Sequence, residues 1–420
     1  MSESPRTLKI ISWNANGIHT KKDEFFNTLI ERKIDIATIS ETFLKPQTRF
    51  SHPNFIVHRL DRTTGEKGGV AIVVAKEVPH EVLHALDLKV IECIGINVKL
   101  VAGPLAILSI YNPGSNSDHV SFHNDLKISK LKGKSLICGD FNARHRLWNC
   151  IKGNSMGKIL FDVIQTGNFS LHSPNEPTYI PSCHRRSPST LDLILANGRI
   201  DITPPCTLKI FSSDHLPILF KTIDSKIISK SPYGMPNYAA ANWPLFKNII
   251  NSRINLASLN LQNIINTFQI DTMVTYLTKT ITLAQNNAIP VFNPVRFTLV
   301  LPENIKSKIK IRDSVRRRWQ RNRRNLTLKD HYNELANQTK NDISQYRNMS
   351  WSRNLTKINT SKNINNSKLW TSIKIIKGCS TSIPHLKAND RILLTPKEKS
   401  EVLKAHFANA NNTTLNSPSP

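Results

Sequence analysis

Up to about Ile223 the chain is built on short apolar runs of strand length separated by turn residues: Leu8–Trp13, Ile34–Ile39, Val70–Ala75, Ile91–Leu100, Leu105–Tyr111, Ser135–Cys138, Leu191–Ala196 and Ile218–Ile223. Gly, Pro, Asn or Asp bounds many of them, which is the pattern of strands ending in turns rather than of helices. Amphipathic stretches over Lys22–Arg32, Val120–Leu131 and Ser155–Thr166 fall between them. Many strands with helices interspersed predict an α/β or α+β sandwich. At 420 residues the chain is long enough for two or three domains and at least one large buried core.

Beyond Ile223 the texture changes. Ser231–Pro236, with two prolines and a glycine, reads as a boundary. After it the sequence predicts helices over Trp243–Arg253, Asp271–Asn287, Glu303–Arg324, Lys329–Ile358, Ser367–Lys377 and Pro396–Ala408, then the polar stretch Asn409–Pro420. The expected division is a catalytic domain over 1–223, a linker with helices over 224–300 and a basic helical segment over 301–420.

The residues just after the apolar runs are more telling than the runs themselves. Leu8–Trp13 leads into Asn14-Ala-Asn16-Gly17, Ile34–Ile39 into Ser40-Glu41-Thr42, and Leu105–Ile110 into Tyr111-Asn112-Pro113. Leu136–Cys138 leads into Gly139-Asp140-Phe141-Asn142, Asp192 sits inside an apolar strand, and Asp214-His215 precedes the last one. If these ends gather at one edge of a sandwich, Asn14, Glu41, Tyr111, Asp140, Asn142, Asp192, Asp214 and His215 form one cluster on rigid supports. Phosphodiester hydrolysis needs such an inventory: carboxylate oxygen for a hard cation, a base for the attacking water, and donors for the phosphoryl oxygens.

Singly, each residue has a plainer reading. Asn14 could cap a turn, Glu41 could begin a helix, Tyr111 could be a half-buried core aromatic, and His215 could be structural. Asp192 is harder to dismiss, because a carboxylate in an apolar strand needs a partner. The ordered set carries the signal.

SWNANGI, ISETFL, SIYNPG, CGDFNARH, STLDLIL and SSDHLPI, in that order, resemble the endonuclease/exonuclease/phosphatase superfamily, and within it the apurinic-type endonucleases of jockey-like non-LTR retrotransposons. The resemblance covers residues 6–223; the helical remainder is more loosely similar to the segment before the reverse transcriptase in those elements. It implies a four-layer α/β sandwich. It also implies Mg2+, or Mn2+ in its place, on Glu41 with Asn14 and Asp214, Asp140 acting on the attacking water with Asn142, and His215 on the scissile phosphate, oriented by Asp192. Tyr111 would donate to the phosphate. Repair enzymes of the superfamily carry Asp where this chain has Asn16, whereas retrotransposon endonucleases commonly have Asn there. The implied activity is nicking of double-stranded DNA to leave a 3′-hydroxyl for target-primed reverse transcription; an abasic-site repair nuclease, or a silent relic that binds nucleic acid, are the alternatives.

Charge points to the same class of partner. Lys and Arg number 57 against 30 Asp and Glu, a net +27, which favours nucleic acid first and an anionic membrane surface second. No apolar run approaches bilayer-spanning length, so no membrane partner is expected. The expected nucleic-acid contacts are His145, Thr178, the pair Arg185 and Arg186 in the polar excursion before Leu191, and Arg316, Arg317 and Arg318 in the basic stretch, where element RNA could also bind. A nuclear-import signal or a solvated face would account for those arginines equally well. The six cysteines lack metal-knuckle spacing and read as reduced thiols of an intracellular protein. The implied substrate places the protein in the nucleus. The absence of any Asp-Asp pair indicates that these residues hold no polymerase centre, as if the reading frame stopped short of one. Oligomeric state is left open.

Overall fold

The computed structural model describes residues 6–62, 65, 67–83, 88–114, 119–126, 133–167, 169–198, 200–227, 235–254, 267–292, 300–360, 386–388, 391–393 and 400–404. Two compact units make up the chain, Met1–Asn348 and Met349–Pro420.

The first unit is dominated by two six-stranded sheets. One is built from β1 (Arg6–Asn14), β2 (Ile36–Ser40), β3 (Phe55–Leu60), β4 (Val70–Ala75), β11 (Cys206–Thr207) and β12 (Ile218–Ile227), in the order β11-β12-β1-β2-β4-β3. The other is built from β5 (His80–Val82), β6 (Glu92–Leu100), β7 (Gly103–Tyr111), β8 (Lys134–Asp140), β9 (Phe169–His172) and β10 (Asp192–Asn197), in the order β5-β6-β7-β8-β10-β9. Each sheet contains a parallel pair at its centre, β1 with β2 and β7 with β8; every other pairing within them is antiparallel.

The expected sandwich follows from where the apolar side chains go. Ile10, Ile36, Ile72 and Val74 of the first sheet share a core with Ile96, Ile107, Leu136 and Ile194 of the second. β4 is buried at every residue, so its run Val-Ala-Ile-Val-Val-Ala has no polar side to show. Helix α1 (Lys22–Glu31) adds Phe25, Phe26 and Leu29 to that core. Helices α2 (His119–Asp125) and α3 (Ser155–Thr166) cover the far face of the second sheet, where Phe122, Met156 and Leu160 pack with Leu108, Ile110, Leu193 and Leu195. The layers are therefore helix, sheet, sheet, helix. The expected helix Val120–Leu131 corresponds to α2, with residues 127–131 outside the described part.

After β12 come the short β13 (Met235–Pro236), α4 (Trp243–Arg253), α5 (Thr267–Ala288), β14 (Val291–Phe292), α6 (Glu303–Arg321) and α7 (Leu326–Thr360). The expected helix Glu303–Arg324 ends three residues early, because Asn322 leaves helical geometry and caps the last turn onto the carbonyls of Arg318 and Trp319. Residues 231–234 of the expected boundary and the helix expected over Ser367–Lys377 lie outside the described residues. Of the helix expected over Pro396–Ala408, residues 400–404 are described, and they are helical. In the second unit a hairpin joins β15 (Leu386–Ala388) and β16 (Arg391–Leu393). Among the described residues no helix is long and apolar enough to cross a membrane.

The sequence boundaries at 223 and 300 do not coincide with the compact units. Helix α6 is docked on the sandwich by buried polar contacts: Arg312 donates to both Glu24 carboxylate oxygens at 2.8 and 2.7 Å and also bonds Asp313. Arg316 donates to the carbonyl of Phe211, and the amide of Leu301 donates to Asn27 Oδ1 at 3.0 Å. This corrects the expectation for Arg316: it is 5% exposed and its guanidinium is turned to protein, not to a phosphate. Arg317 and Arg318, next along the helix, are exposed. Trp319 is likewise not a free stacking platform, being buried and stacked on Tyr332 with centroids 5.9 Å apart.

Candidate active site

The two parallel pairs set the site. Because β1 and β2 run the same way, Asn14 and Ser40 end side by side; because β7 and β8 do, Tyr111 and Asp140 do the same in the other sheet. Across the sandwich Ser40 Oγ donates to the carbonyl of Ile110 at 2.7 Å and Ser109 Oγ to that of Ile39 at 3.1 Å, tying the two sheets together beneath these ends. β10 runs antiparallel to β8, so its first residue, Asp192, pairs with the last of β8, Asp140.

Asn14 is the hinge of the cluster. Its Nδ2 donates to Glu41 Oε1 and to Asp140 Oδ2, each at 2.8 Å, and its Oδ1 accepts the amide of Asn16 at 3.0 Å. His215 Nδ1–H donates to Asp192 Oδ2 at 2.7 Å, leaving Nε2 3.8 Å from Asp140 Oδ2. Asp140 Oδ1 accepts the amide of Asn142 at 2.8 Å, and Asn142 Nδ2 donates to the carbonyl of Asn112 at 2.8 Å. Tyr111 lies near enough to Glu41 and Asp140 for their charges to act on its hydroxyl. Asp214 Oδ1 accepts from Asn16 Nδ2 at 2.9 Å. The structure thus brings Asn14, Glu41, Asp140, Asn142, Asp192 and His215 into one connected network, with Tyr111 beside Asp140 across the β7–β8 pair and Asp214 reaching it through Asn16.

Local backbone is bent to aim these groups. Glu41 and Asn142 have φ of 50° and 46°, a left-handed conformation that costs a non-glycine residue on the order of 1 kcal/mol. Surrounding bonds hold it at Glu41: its carbonyl accepts from Gly17, and the next two amides donate to Gly69 and Gly68. Gly139 permits the close approach of β7 and β8 just before Asp140, since a Cβ there would lie 2.1 Å from the carbonyl oxygen of Ile110.

Burial shapes the proton chemistry. Desolvation raises the Asp140 carboxyl to about 7, with Asp192 adding to the rise and His215 opposing it. His215 is also buried, which by itself would discharge it; Asp192, through charge and hydrogen bond, with Asp140 and Asp214, outweighs that and holds its pKa well above the ordinary histidine value. Tyr111 is pushed upward by burial and then by Glu41 and Asp140, so its hydroxyl keeps its proton.

The donor set suits a hard divalent cation. Two carboxylates, Glu41 and Asp140, share a single neutral amide, and oxygen ligands of this kind are what Mg2+ takes. Asp192 Oδ1 is buried without a hydrogen-bond partner, while its Oδ2 is paired with His215. Among the described residues, the acid and imidazole atoms closest to a ligand cluster are those of Asp140, Asp192 and His215, within 4.8 Å of one another. The short Asp192–His215 hydrogen bond makes that trio an orienting pair beside an acid more naturally than a metal cage.

One expected DNA contact is placed otherwise. Thr178 is fully buried, its Oγ1 accepting from the amides of Leu191 and Asp192 at 3.0 and 3.1 Å, so it shapes the start of β10 rather than facing a phosphate. His145 is half-buried, its Nδ1 accepting the amide of Leu147 at 3.2 Å and its ring stacked on Phe161. Arg185 and Arg186 are exposed as expected. Sequence reasoning passed over Ser213, whose hydroxyl donates to the carbonyl of Asn14 at 2.9 Å and accepts the amide of His215, and Tyr179, whose ring centroid lies 4.8 Å from that of His215. Ser213 stood inside a quoted motif, SSDHLPI; Tyr179 had no signal of its own.

Residues 105–219 match the family described as endonuclease–reverse transcriptase, Exo_endo_phos_2. The chain is 24% identical over 416 residues to a probable RNA-directed DNA polymerase from transposon X-element of Drosophila melanogaster, covering 96% of this chain and 44% of the relative. It is 28% identical over 218 residues to the RNA-directed DNA polymerase from mobile element jockey of the same fly, covering 51% of this chain and 23% of the relative. The chain therefore spans less than half the length of these relatives. A solved structure similar to it is the endonuclease domain of TRAS1, a telomere-specific non-LTR retrotransposon, at 16% identity and a TM-score of 0.43, covering 51% of this chain and 98% of that one.

Proposed function

We propose, with the endonuclease–reverse transcriptase family of residues 105–219 as the premise, that this domain is a Mg2+-dependent endonuclease of a jockey-like non-LTR retrotransposon. It nicks double-stranded DNA and leaves a 3′-hydroxyl for target-primed reverse transcription, acting in the nucleus. The observation that carries the reading is Asn14, whose amide gathers Glu41 and Asp140 at 2.8 Å each, beside a histidine fixed by a buried aspartate.

Glu41, with Asn14 and Asp214, would hold Mg2+, or Mn2+ in its place, and the ion would supply positive charge to the phosphoryl oxygens. The chain's own residues divide the remaining work. Asp140, with a carboxyl poised near neutrality, takes the proton of the attacking water as its oxygen bonds to phosphorus; the P–O3′ bond breaks and the departing O3′ takes a proton from solvent. Asn142 and Asn14 fix the two Asp140 oxygens. His215 presents Nε2–H to the phosphate while Asp192 fixes the orientation of its ring and balances its charge. Tyr111, kept protonated, donates to an oxygen on which negative charge grows.

Supercoiled plasmid incubated with the chain and Mg2+ is expected to become open circle, and EDTA is expected to stop it. Conversion that persists in EDTA would end this reading. Cleavage confined to abasic-site duplex, with intact plasmid untouched, would favour a repair nuclease.

Arg185 and Arg186 are exposed in the loop before β10, where they would lean into the minor groove, whose narrow A·T-rich tracts concentrate negative potential. The Arg185→Ala, Arg186→Ala double variant is expected to redistribute nick sites along a long duplex more than it lowers total nicking. An unchanged map at lower rate would make the pair plain phosphate contacts. The exposed Arg317 and Arg318 would add sequence-independent contacts to DNA or element RNA.

A further inference from the structure

Arg323, in the turn between α6 and α7, lies far from the catalytic cluster in sequence but not from the loop after Tyr179. Its Nη1 donates toward three carbonyls of that loop: Pro181 at 3.1 Å, Cys183 at 3.1 Å and Arg186 at 2.8 Å. Residues 182–187 are exposed, so the loop has little core of its own to hold its shape. A guanidinium that satisfies three converging carbonyls supplies what packing does not.

The loop is joined to the active site at its root. The amide of Ile180 donates to the carbonyl of Asp214 at 2.9 Å, and that of Leu216 to the carbonyl of Thr178 at 2.7 Å, so Tyr179 lies against His215 in a short bridge. The Tyr179 ring in turn tilts onto the His215 imidazole, with centroids 4.8 Å apart. On its other side Arg323 belongs to a segment anchored to the sandwich through Arg312 and Arg316.

We propose that Arg323 is a positioning residue: the helical segment after the sandwich sets the conformation of the 181–186 loop and thereby where this endonuclease nicks. The target-choice half rests on the proposed endonuclease reading; the clamp itself does not. A cation there for phosphate would point to solvent, whereas this one is committed to backbone oxygen. All three contacts converge on one nitrogen, so a lysine ammonium can stand in for it and alanine cannot.

Two measurements on the full chain test this. Limited trypsin digestion without DNA, read by mass spectrometry, reports opening at Arg185 and Arg186; Arg323→Ala is expected to raise cleavage there about tenfold, and Arg323→Lys to bring it back toward the unaltered rate. On a long duplex, Arg323→Ala is expected to change the distribution of nick sites while total nicking falls far less. Unchanged trypsin cleavage would overturn the clamp. Faster cleavage with an identical nick map would overturn its role in target choice. If the unaltered chain does not nick, the endonuclease reading and the target role fall together, and the trypsin result alone decides the clamp.

Discussion

Asp140→Asn is expected to nick supercoiled plasmid about a thousandfold more slowly than the unaltered chain, while remaining folded. The change removes one charge and the ability to take a proton, yet keeps the shape and an oxygen to accept the Asn142 amide bond now made at 2.8 Å. Burial already works against this carboxylate, holding its pKa at about 7 against an ordinary value of 3.8. An acid whose folded pKa lies above its unfolded one loses stability as pH rises between the two values. The neutral amide escapes that loss but turns its NH2 toward Asn14 Nδ2, the donor that Asp140 Oδ2 now accepts, so at pH 8 the variant should unfold within about 1–3 kcal/mol of its parent despite its inactivity. Glu41→Ala and His215→Ala should be similarly inactive, by loss of the cation's main ligand and of the phosphate donor. Plasmid relaxation with Mg2+, read beside thermal unfolding, checks all three. Parental activity in Asp140→Asn would remove it from the proton-transfer role.

Glu24→Ala is expected to destabilise the first unit by about 3–5 kcal/mol, the usual cost of leaving a buried charge without its partner. Arg312 is 2% exposed and Glu24 6%, and their bidentate contact is the polar centre of the interface between α1 and α6. Asp313 compensates only in part, because it meets Arg312 through the single oxygen Oδ1 while Glu24 uses both of its own. The exposed pair at the same interface, Lys306 with Glu31, and the pair Lys308 with Asp342 between α6 and α7 are worth a fraction of this. Replacing the whole cluster, as Glu24→Leu with Arg312→Met and Asp313→Ala, should recover most of the loss, since Asp313 is not then left buried without Arg312. Urea unfolding of the three proteins measures it. A loss under about 1 kcal/mol in Glu24→Ala would mean that water reaches Arg312 and that α6 is held elsewhere.

The strands visible as apolar runs are the central ones, such as β1, β2, β4, β7 and β8. The strands without a legible run are β3, β5, β9 and β11, which are the four edges of the two sheets. Each has mostly half-buried or exposed residues, so apolar periodicity is faint where a strand is covered on one side only. The same distinction holds at the site. Asn14, Glu41, Tyr111, Asp140 and Asp192 were legible because each stands at the end of, or within, a strand whose hydrophobicity announces it. Thr178 was placed wrongly because its hydroxyl is taken by the backbone of β10, which only the packing of the preceding loop reveals.

The basic stretch shows most clearly what sequence alone determines. A run of Lys and Arg between 306 and 324 establishes a helix with an excess of positive charge, and nothing in its order says which side chains face solvent. Helical rotation then divides it: Arg312 and Arg316 turn onto the sandwich, Arg317 and Arg318 turn away, and Arg323 falls just past the helix end against the 181–186 loop. Local chemistry, meaning strand-forming runs, turn residues and the acids beside them, is written in neighbouring positions and so can be read from the chain. Which carboxylate meets which amide, and which arginine is committed to protein rather than left for a phosphate, depends on surfaces brought together from distant positions, 288 residues apart for Glu24 and Arg312. Only the tertiary structure decides that, because a buried charge takes the partner that packing leaves within reach.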